Sequence, residues 1–207
     1  MGAPAYDGRV SIGGASGYTG LAALPTLVAQ AIRLGTRLGF DKSCRPEQGR
    51  LLHALAAGAA ESIGETGTGC GVGLAWLVSG RRDGVRVVSV ERDTRLVEHV
   101  RRLFAGVPDV EIVHGDWTAA YAHGPFDLLV LDGGGNAKGS GTADPTRLVR
   151  PGGVLVVDDF TPATEWPPTH AGQPDEARLH WLRHPELAAI EVRLAPDLAT
   201  VVATRRH

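Results

Sequence analysis

The 207 residues fit one α/β domain of ordinary size, since domains of roughly 100 to 200 residues bury most of the surface their unfolded chains expose. With 43% hydrophobic and 21% charged residues the composition argues against a disordered or fibrous chain. A formal net charge of -2, with the basic pairs Arg81-Arg82, Arg101-Arg102 and Arg205-Arg206 scattered, gives no nucleic-acid-binding tract.

Two helical segments are predicted first, at about Leu21 to Leu38 and Pro46 to Ala60, the second with Pro46 in its first turn. β-rich runs follow at Glu61 to Glu65, Val85 to Val90, Val110 to Val113, Phe126 to Leu131 and Val154 to Val157, separated by helix-compatible stretches such as Thr94 to Phe104. That alternation predicts a parallel sheet with helices on both faces. Ile190 to Leu194 and Thr200 to Ala203 flank a turn at Pro196-Asp197 and read as an antiparallel hairpin at the sheet edge. The expectation is a single domain over residues 1–207, with a leader and helices over 1–60 and a Rossmann-like core of seven strands over 61–207.

Cys44 and Cys70 lack any Cys-x-x-Cys spacing, so a reduced intracellular chain with no zinc site is expected. The apolar stretch from Leu21 to Ile32 is broken by Pro25 and Gln30 and falls short of the roughly 20 residues of a membrane span. The first ten residues carry Asp7 and Arg9 and no leading basic cluster, so no signal peptide is read and a cytoplasmic location is expected.

The strongest chemical signal is Glu65-Thr66-Gly67-Thr68-Gly69-Cys70-Gly71-Val72-Gly73, placed directly after a predicted strand and opening a predicted helix. Glycines there let the backbone turn sharply and approach a ligand closely. The dinucleotide fingerprint Gly-x-Gly-x-x-Gly/Ala does not fit, because Val72 or Leu74 stands at its third glycine, whereas acidic-x-Gly-x-Gly-x-Gly does. Glu91 ends the next strand at the spacing expected of an acid that accepts both ribose hydroxyls, with Arg92 beside it. Asp116-Trp117 follows the third strand. Each motif taken singly also reads as a structural turn or a solvated acid; their order, at the carboxyl ends of successive strands, makes the case for a ligand site.

This pattern resembles motif I of class I S-adenosylmethionine (SAM)-dependent methyltransferases. The resemblance implies a SAM site formed by Glu65, Thr66, Gly67, Gly69, Gly71, Glu91, Arg92, Asp116, Trp117 and Asp132. Glu65 would suit the cationic sulfonium and ammonium end, Asp116 the adenine amino group, and Trp117 would cover the ring. A rival stands near the start: Val10 to Gly20 resembles the NADP-binding turn of N-acetyl-gamma-glutamyl-phosphate and semialdehyde reductases. No second strand is predicted before Pro46, so a glycine-rich leader or turn is the preferred account of Gly14 to Gly20.

From about Ser43 to Arg205 the resemblance narrows to the catechol and caffeoyl-CoA O-methyltransferase-like group. It implies that Ser43 to Gly49 borders the cofactor and that Asp132, Asp158 and Asp159 hold Mg²⁺ or another divalent cation, which would lower the pKa of a substrate hydroxyl. The adjacent acids Asp158 and Asp159 also read as caps of a turn through Thr161 and Pro162. The group's usual Asn is replaced by Asp159, and its catalytic Lys position falls on Gly135. Lys138 is the nearby candidate in the loop Gly133 to Gly139, where it reads either as an exposed loop lysine, the preferred account, or as a catalytic group with Asp132. Trp166 and His170, in the proline-rich stretch Thr161 to Pro174, read as a substrate wall or as part of a plain connector. The expected activity is O-methylation of a small hydroxylated molecule, with no nucleic-acid or membrane partner and with a homodimer left open. The alternatives are an NADP-dependent reductase and a non-catalytic SAM-binding protein.

Overall fold

The computed structural model describes residues 14–132, 137–139 and 143–207. β1 (Ser62–Thr66), β2 (Arg86–Glu91), β3 (Val110–His114), β4 (Phe126–Leu131) and β5 (Val149–Phe160) run parallel. β6 (Leu187–Ala195) returns as β7 (Leu198–Arg205) in an antiparallel hairpin, β7 pairing with β5. The order across the sheet is β3-β2-β1-β4-β5-β7-β6, the mostly parallel seven-stranded Rossmann-like sheet expected. Because β1 lies between β2 and β4, successive connections leave it in opposite directions, and a crevice opens above the carboxyl ends of β1 and β4.

The helices are α1 (Thr26–Leu38), α2 (Pro46–Ala56), α3 (Val72–Gly80), α4 (Thr94–Phe104), α5 (Pro145–Leu148) and α6 (Glu176–Leu182). Both sheet faces are covered, so strand residues of both parities are apolar. Val87, Leu128, Val130 and Val156 join the cluster that holds Leu52, Leu77 and Val100 of α2, α3 and α4. Val88, Leu129, Leu131, Leu155 and Val157 point the other way, into the cluster that holds Trp181 of α6. Burying one such leucine fully stabilises the fold by about 1.5–3 kcal/mol.

Several boundaries differ from the sequence reading for local reasons. α1 starts at Thr26, with Pro25 extended at its N-cap, because a proline pushes the residue before it out of the helical region. α2 stops at Ala56, two residues before Gly58, and does not reach Ala60. β5 is longer than Val154 to Val157, since Pro151-Gly152-Gly153 is carried inside the strand across a register shift against β4. α6 was not foreseen; Asp175 caps it by accepting from Arg178 N–H. The buried Arg178 then binds Asp175 at 3.0 Å and Glu191 at 2.8 Å and lies over the Phe160 ring. Glu191 also accepts from Ala163 N–H at 2.8 Å, which ties the proline-rich segment to β6. Among the described residues no helix is long and apolar enough to cross a membrane.

Candidate active site

The β1–α3 turn is left-handed at Gly67 (φ 88°), Gly69 (φ 53°) and Gly71 (φ 82°), a conformation that side chains disfavour. It is held from beneath: Gly67 N–H donates to Val90 carbonyl at 2.8 Å, and Gly69 N–H donates to Glu91 Oε2 at 2.9 Å. Glu91 Oε1 accepts from Asp93 N–H at 2.9 Å, so both carboxylate oxygens are anchored by backbone while the side chain borders the cavity above. Asp93 in turn caps α4.

That cavity, of about 310 Å³, lies over the carboxyl ends of β1 to β4, within the size range of small-molecule sites. Its walls contain Thr66, Gly67, Gly69, Glu91, Arg92, Asp116, Trp117, Asp132 and Asp159, so the geometry brings together most of the residues singled out by motif. Asp116 accepts from Thr118 N–H at 3.1 Å and starts a 3-10 turn over Trp117–Ala122 that was not foreseen and that carries Trp117 to the rim. Ser43 and Cys44 of the segment before α2 close another side, joined by Phe40, Lys42 and Leu96, which the motifs did not indicate.

Glu65 and Gly71 do not line the cavity. Glu65 is 1% exposed, accepts a short hydrogen bond from Ser89 Oγ, and stands so close to Gly73 that a Cβ there would overlap its Oε1. Thr68 Oγ1 lies 2.6 Å from Ser89 Oγ, so the carboxylate is roofed by the turn it supports. Burial pushes the Glu65 pKa well above the usual range, and Asp132 and Glu91 add to the rise against the Ser89 hydrogen bond. A signal for this placement was present: Glu65 shares strand parity with Ile63, which packs on the α3 face.

Asp132, Asp158 and Asp159 converge, each offering an oxygen within 4.8 Å of the others. Neighbouring strand residues normally face opposite ways; here Asp159 sits at φ 67° in a register irregularity between β5 and β7, which turns its side chain to the same side as Asp158. Asp159 N–H donates to Asp158 Oδ1 at 2.7 Å. Asp158 is buried, and that burial, with Asp159 and Asp132 nearby, pushes its pKa well up.

Lys138 is 2% exposed, which corrects the account of it as an exposed loop lysine. Its Nζ lies 3.3 Å from Asp159 Oδ2 and 3.8 Å from Asp132 Oδ1, and its carbonyl accepts from Trp181 Nε1 at 2.8 Å. Burial alone would lower the lysine pKa, but the attraction of Asp159, Asp132 and Asp158 outweighs it, so the group stays an ammonium and has no lone pair to take a proton. Gly133 to Asn136, which include the usual lysine position at Gly135, lie outside the described residues.

Val10 to Gly13 of the glycine-rich segment also lie outside them. Its described part forms a 3-10 turn at Ser16–Tyr18, and Tyr18 is a packing residue: its hydroxyl donates to Cys44 carbonyl at 2.9 Å and accepts from Trp76 Nε1 at 3.0 Å. Trp166 is 66% exposed under the Arg183 guanidinium, and His170 lies in a two-stranded ribbon, Thr169–His170 with Gln173–Pro174; neither borders the cavity. Cys44 and Cys70 are free, buried thiols; burial pushes Cys44 well up and Cys70 up to about 11.

The sheet order, the glycine turn after β1 and the acids that follow β2 and β3 are similar to those of the class I SAM-dependent methyltransferase fold. Residues 65–160 match the family described as a methyltransferase domain. A probable O-methyltransferase of Mycobacterium tuberculosis is 30% identical over 139 residues, 63% of this chain and 62% of that protein. The catechol O-methyltransferase of the same organism is 37% identical over 121 residues, 55% of this chain and 54% of that one. The chain thus spans less than two thirds of the length of these relatives. An O-methyltransferase of Bacillus cereus, solved with S-adenosylhomocysteine, shares the fold with a TM-score of 0.70 at 19% identity, over 93% of this chain and 96% of that one.

Proposed function

We propose that this chain, working as one catalytic domain, transfers the methyl group of SAM to an oxygen of a small hydroxylated substrate. The observation that carries the reading is the single cavity on which the glycine turn, Glu91, Asp116, Trp117 and Asp132 all border. Glu91 keeps lone pairs for the ribose hydroxyls, Asp116 takes the adenine amino group, and Trp117 covers the ring. The methionine end then falls toward Asp132 and Asp159, whose negative charge suits a sulfonium. Glu65 serves by fixing the turn from below. Oxygen as the acceptor atom is supported by the named activities of the relatives.

SAM supplies a methyl group activated on a positive sulfur. As the acceptor oxygen bonds to that carbon in line with the breaking S–C bond, sulfur becomes the thioether of S-adenosylhomocysteine, and the hydroxyl proton passes to Asp132 and on to water. Asp132 borders the cavity and is the more exposed of the two carboxylates beside Lys138, at 21% against 7% for Asp159. Alignment accounts for much of the acceleration, since well-oriented reactants reach effective molarities of order 10⁵ to 10⁸ M. The divalent cation that the resemblance implies would find carboxylate oxygens at suitable spacing, but Lys138 already stands beside two of them. The reading extends to a cytoplasmic location; a homodimer is a matter for sedimentation.

Calorimetric titration with SAM, S-adenosylhomocysteine and NADPH, followed by methylation assays on a panel of phenols and on bulk tRNA, tests it. Binding of the first two without NADPH, and transfer to a phenol, is expected. NADPH binding without SAM binding would overturn the reading; SAM binding with no transfer would make the chain a non-catalytic binder, and transfer to tRNA alone would change the acceptor class.

A further inference from the structure

Three carboxylates drawn within 4.8 Å of one another, with Asp158 almost wholly buried, repel one another when ionised, and a positive partner relieves that repulsion. The described structure supplies one from the protein itself. Lys138 Nζ approaches two of the three acids, Asp159 at 3.3 Å and Asp132 at 3.8 Å. Its placement is secured at both ends: the side chain is 3% exposed, and the backbone is pinned where Lys138 carbonyl accepts from Nε1 of the fully buried Trp181. The acids are shaped to meet it as well, since Asp159 reaches the cluster only through its left-handed backbone.

We propose that Lys138 is the resident cation of the Asp132–Asp158–Asp159 cluster, standing where a divalent metal would otherwise bind; this does not rest on the methyltransferase reading. A hard divalent ion bonds carboxylate oxygens at about 2.0–2.6 Å, so an ion in the cluster would stand within a few ångströms of the ammonium. At an effective dielectric constant of about 20, the repulsion between a double and a single positive charge at about 4 Å corresponds to far more than a hundredfold loss of affinity. Swinging Lys138 out would break its ion pairs and its enclosure.

The test is Mn²⁺ titration of the full chain, read by the electron paramagnetic resonance of free Mn²⁺, in the wild type and in Lys138→Met. The variant keeps the length of the side chain and removes its charge. Lys138→Met is expected to bind one Mn²⁺ at least about a hundredfold more tightly than the wild type. Adding Asp159→Asn to it should abolish most of that gain. SAM titration of each protein checks that the site is folded and separately tests the methyltransferase reading. Mn²⁺ binding to the wild type as tight as to Lys138→Met would overturn the proposal, and so would a SAM-competent Lys138→Met that gains no Mn²⁺ affinity. Should that variant fail to fold, the wild type alone decides: tight stoichiometric Mn²⁺ binding refutes the proposal, and its absence together with full methyl transfer by metal-stripped protein supports it.

Discussion

The two ends of the parallel strands use charge in opposite ways. At the carboxyl ends, Glu91, Asp116, Asp132 and Asp159 border a cavity. At the amino ends, arginines stitch backbone to backbone: Arg82 donates to Ala59 carbonyl at 2.7 Å, Arg86 to His123 carbonyl at 2.8 Å, and Arg205 to Val149 carbonyl at 2.7 Å. A carboxylate there, Asp127, is consumed by structure: its Oδ2 accepts from the N–H groups of Ala60, Glu61 and Ser62 at 3.1, 2.6 and 2.9 Å, and its Oδ1 faces Arg150 at 3.1 Å. The lesson is that an acid's partners, more than its presence, tell a binding rim from a structural one.

The largest effect should come from the carboxyl rim. Gly69→Val places a Cβ 3.0 Å from the Phe40 ring on a backbone at φ 53°, so SAM binding should fall below calorimetric detection. Wild-type affinity in the folded variant would reduce the turn to a structural feature. Glu91→Ala comes next: it removes the proposed ribose acceptor and orphans Gly69 N–H and Asp93 N–H. A charged hydrogen bond contributes about 1.5–3 kcal/mol, so the SAM dissociation constant should rise about tenfold or more. An unchanged constant would mean the ribose sits elsewhere.

The amino rim should respond in stability and not in binding. Asp127→Ala leaves three backbone donors without their acceptor and should lower unfolding free energy by about 2 kcal/mol, with SAM affinity of the folded fraction unchanged. Despite an opposing effect of burial, the backbone donors and Arg150 hold the Asp127 pKa below its ordinary 3.8. Its stabilising contribution is therefore fully present above pH 3.8 and is lost as pH falls through the depressed value; urea titrations at pH 6 and in the acid range would show the variant's deficit shrinking. A loss of SAM affinity equal to that of Glu91→Ala would erase the contrast between the two ends.

The smallest effect belongs to Glu65, an acid of the carboxyl rim that behaves like one of the interior. Its pKa is raised, so its favourable contribution is complete below the ordinary 4.5 and is lost as pH climbs through the folded value. Glu65→Gln keeps an acceptor for Ser89 and should flatten this decline, giving a slightly higher melting temperature than wild type at pH 8 and no advantage at pH 4. An equal difference at both pH values would place the stabilisation outside ionisation.

The sheet was legible because apolar parity and strand spacing are local properties; β1 to β4 fell within a residue or so of their expected places. The Glu91 and Asp116 positions were legible for the same reason, since the end of a strand fixes where an acid can stand. Lys138 was not, because the glycine-rich stretch before it carries no periodicity from which a side chain's direction can be read. α6 was hidden behind a proline-rich run, although Asp175 three residues before Arg178 is a usable capping signal. The inward turn of Asp159 depends on a pairing irregularity between β5 and β7, about 40 residues apart in sequence, which no local pattern records.

That irregularity also frees the last acid of β5 from the pleat of its own strand. A left-handed backbone is open to Asp, Asn and Gly and costly for branched residues, so position 159 admits a short alphabet whose members differ in charge or hydrogen bonding but not in backbone path. Replacing one oxygen by an amide there subtracts a negative charge from the cluster on an unchanged frame. The site can thus be retuned between cation-hungry and cation-satisfied states by a single-atom exchange, with the seven strands beneath it left as they are.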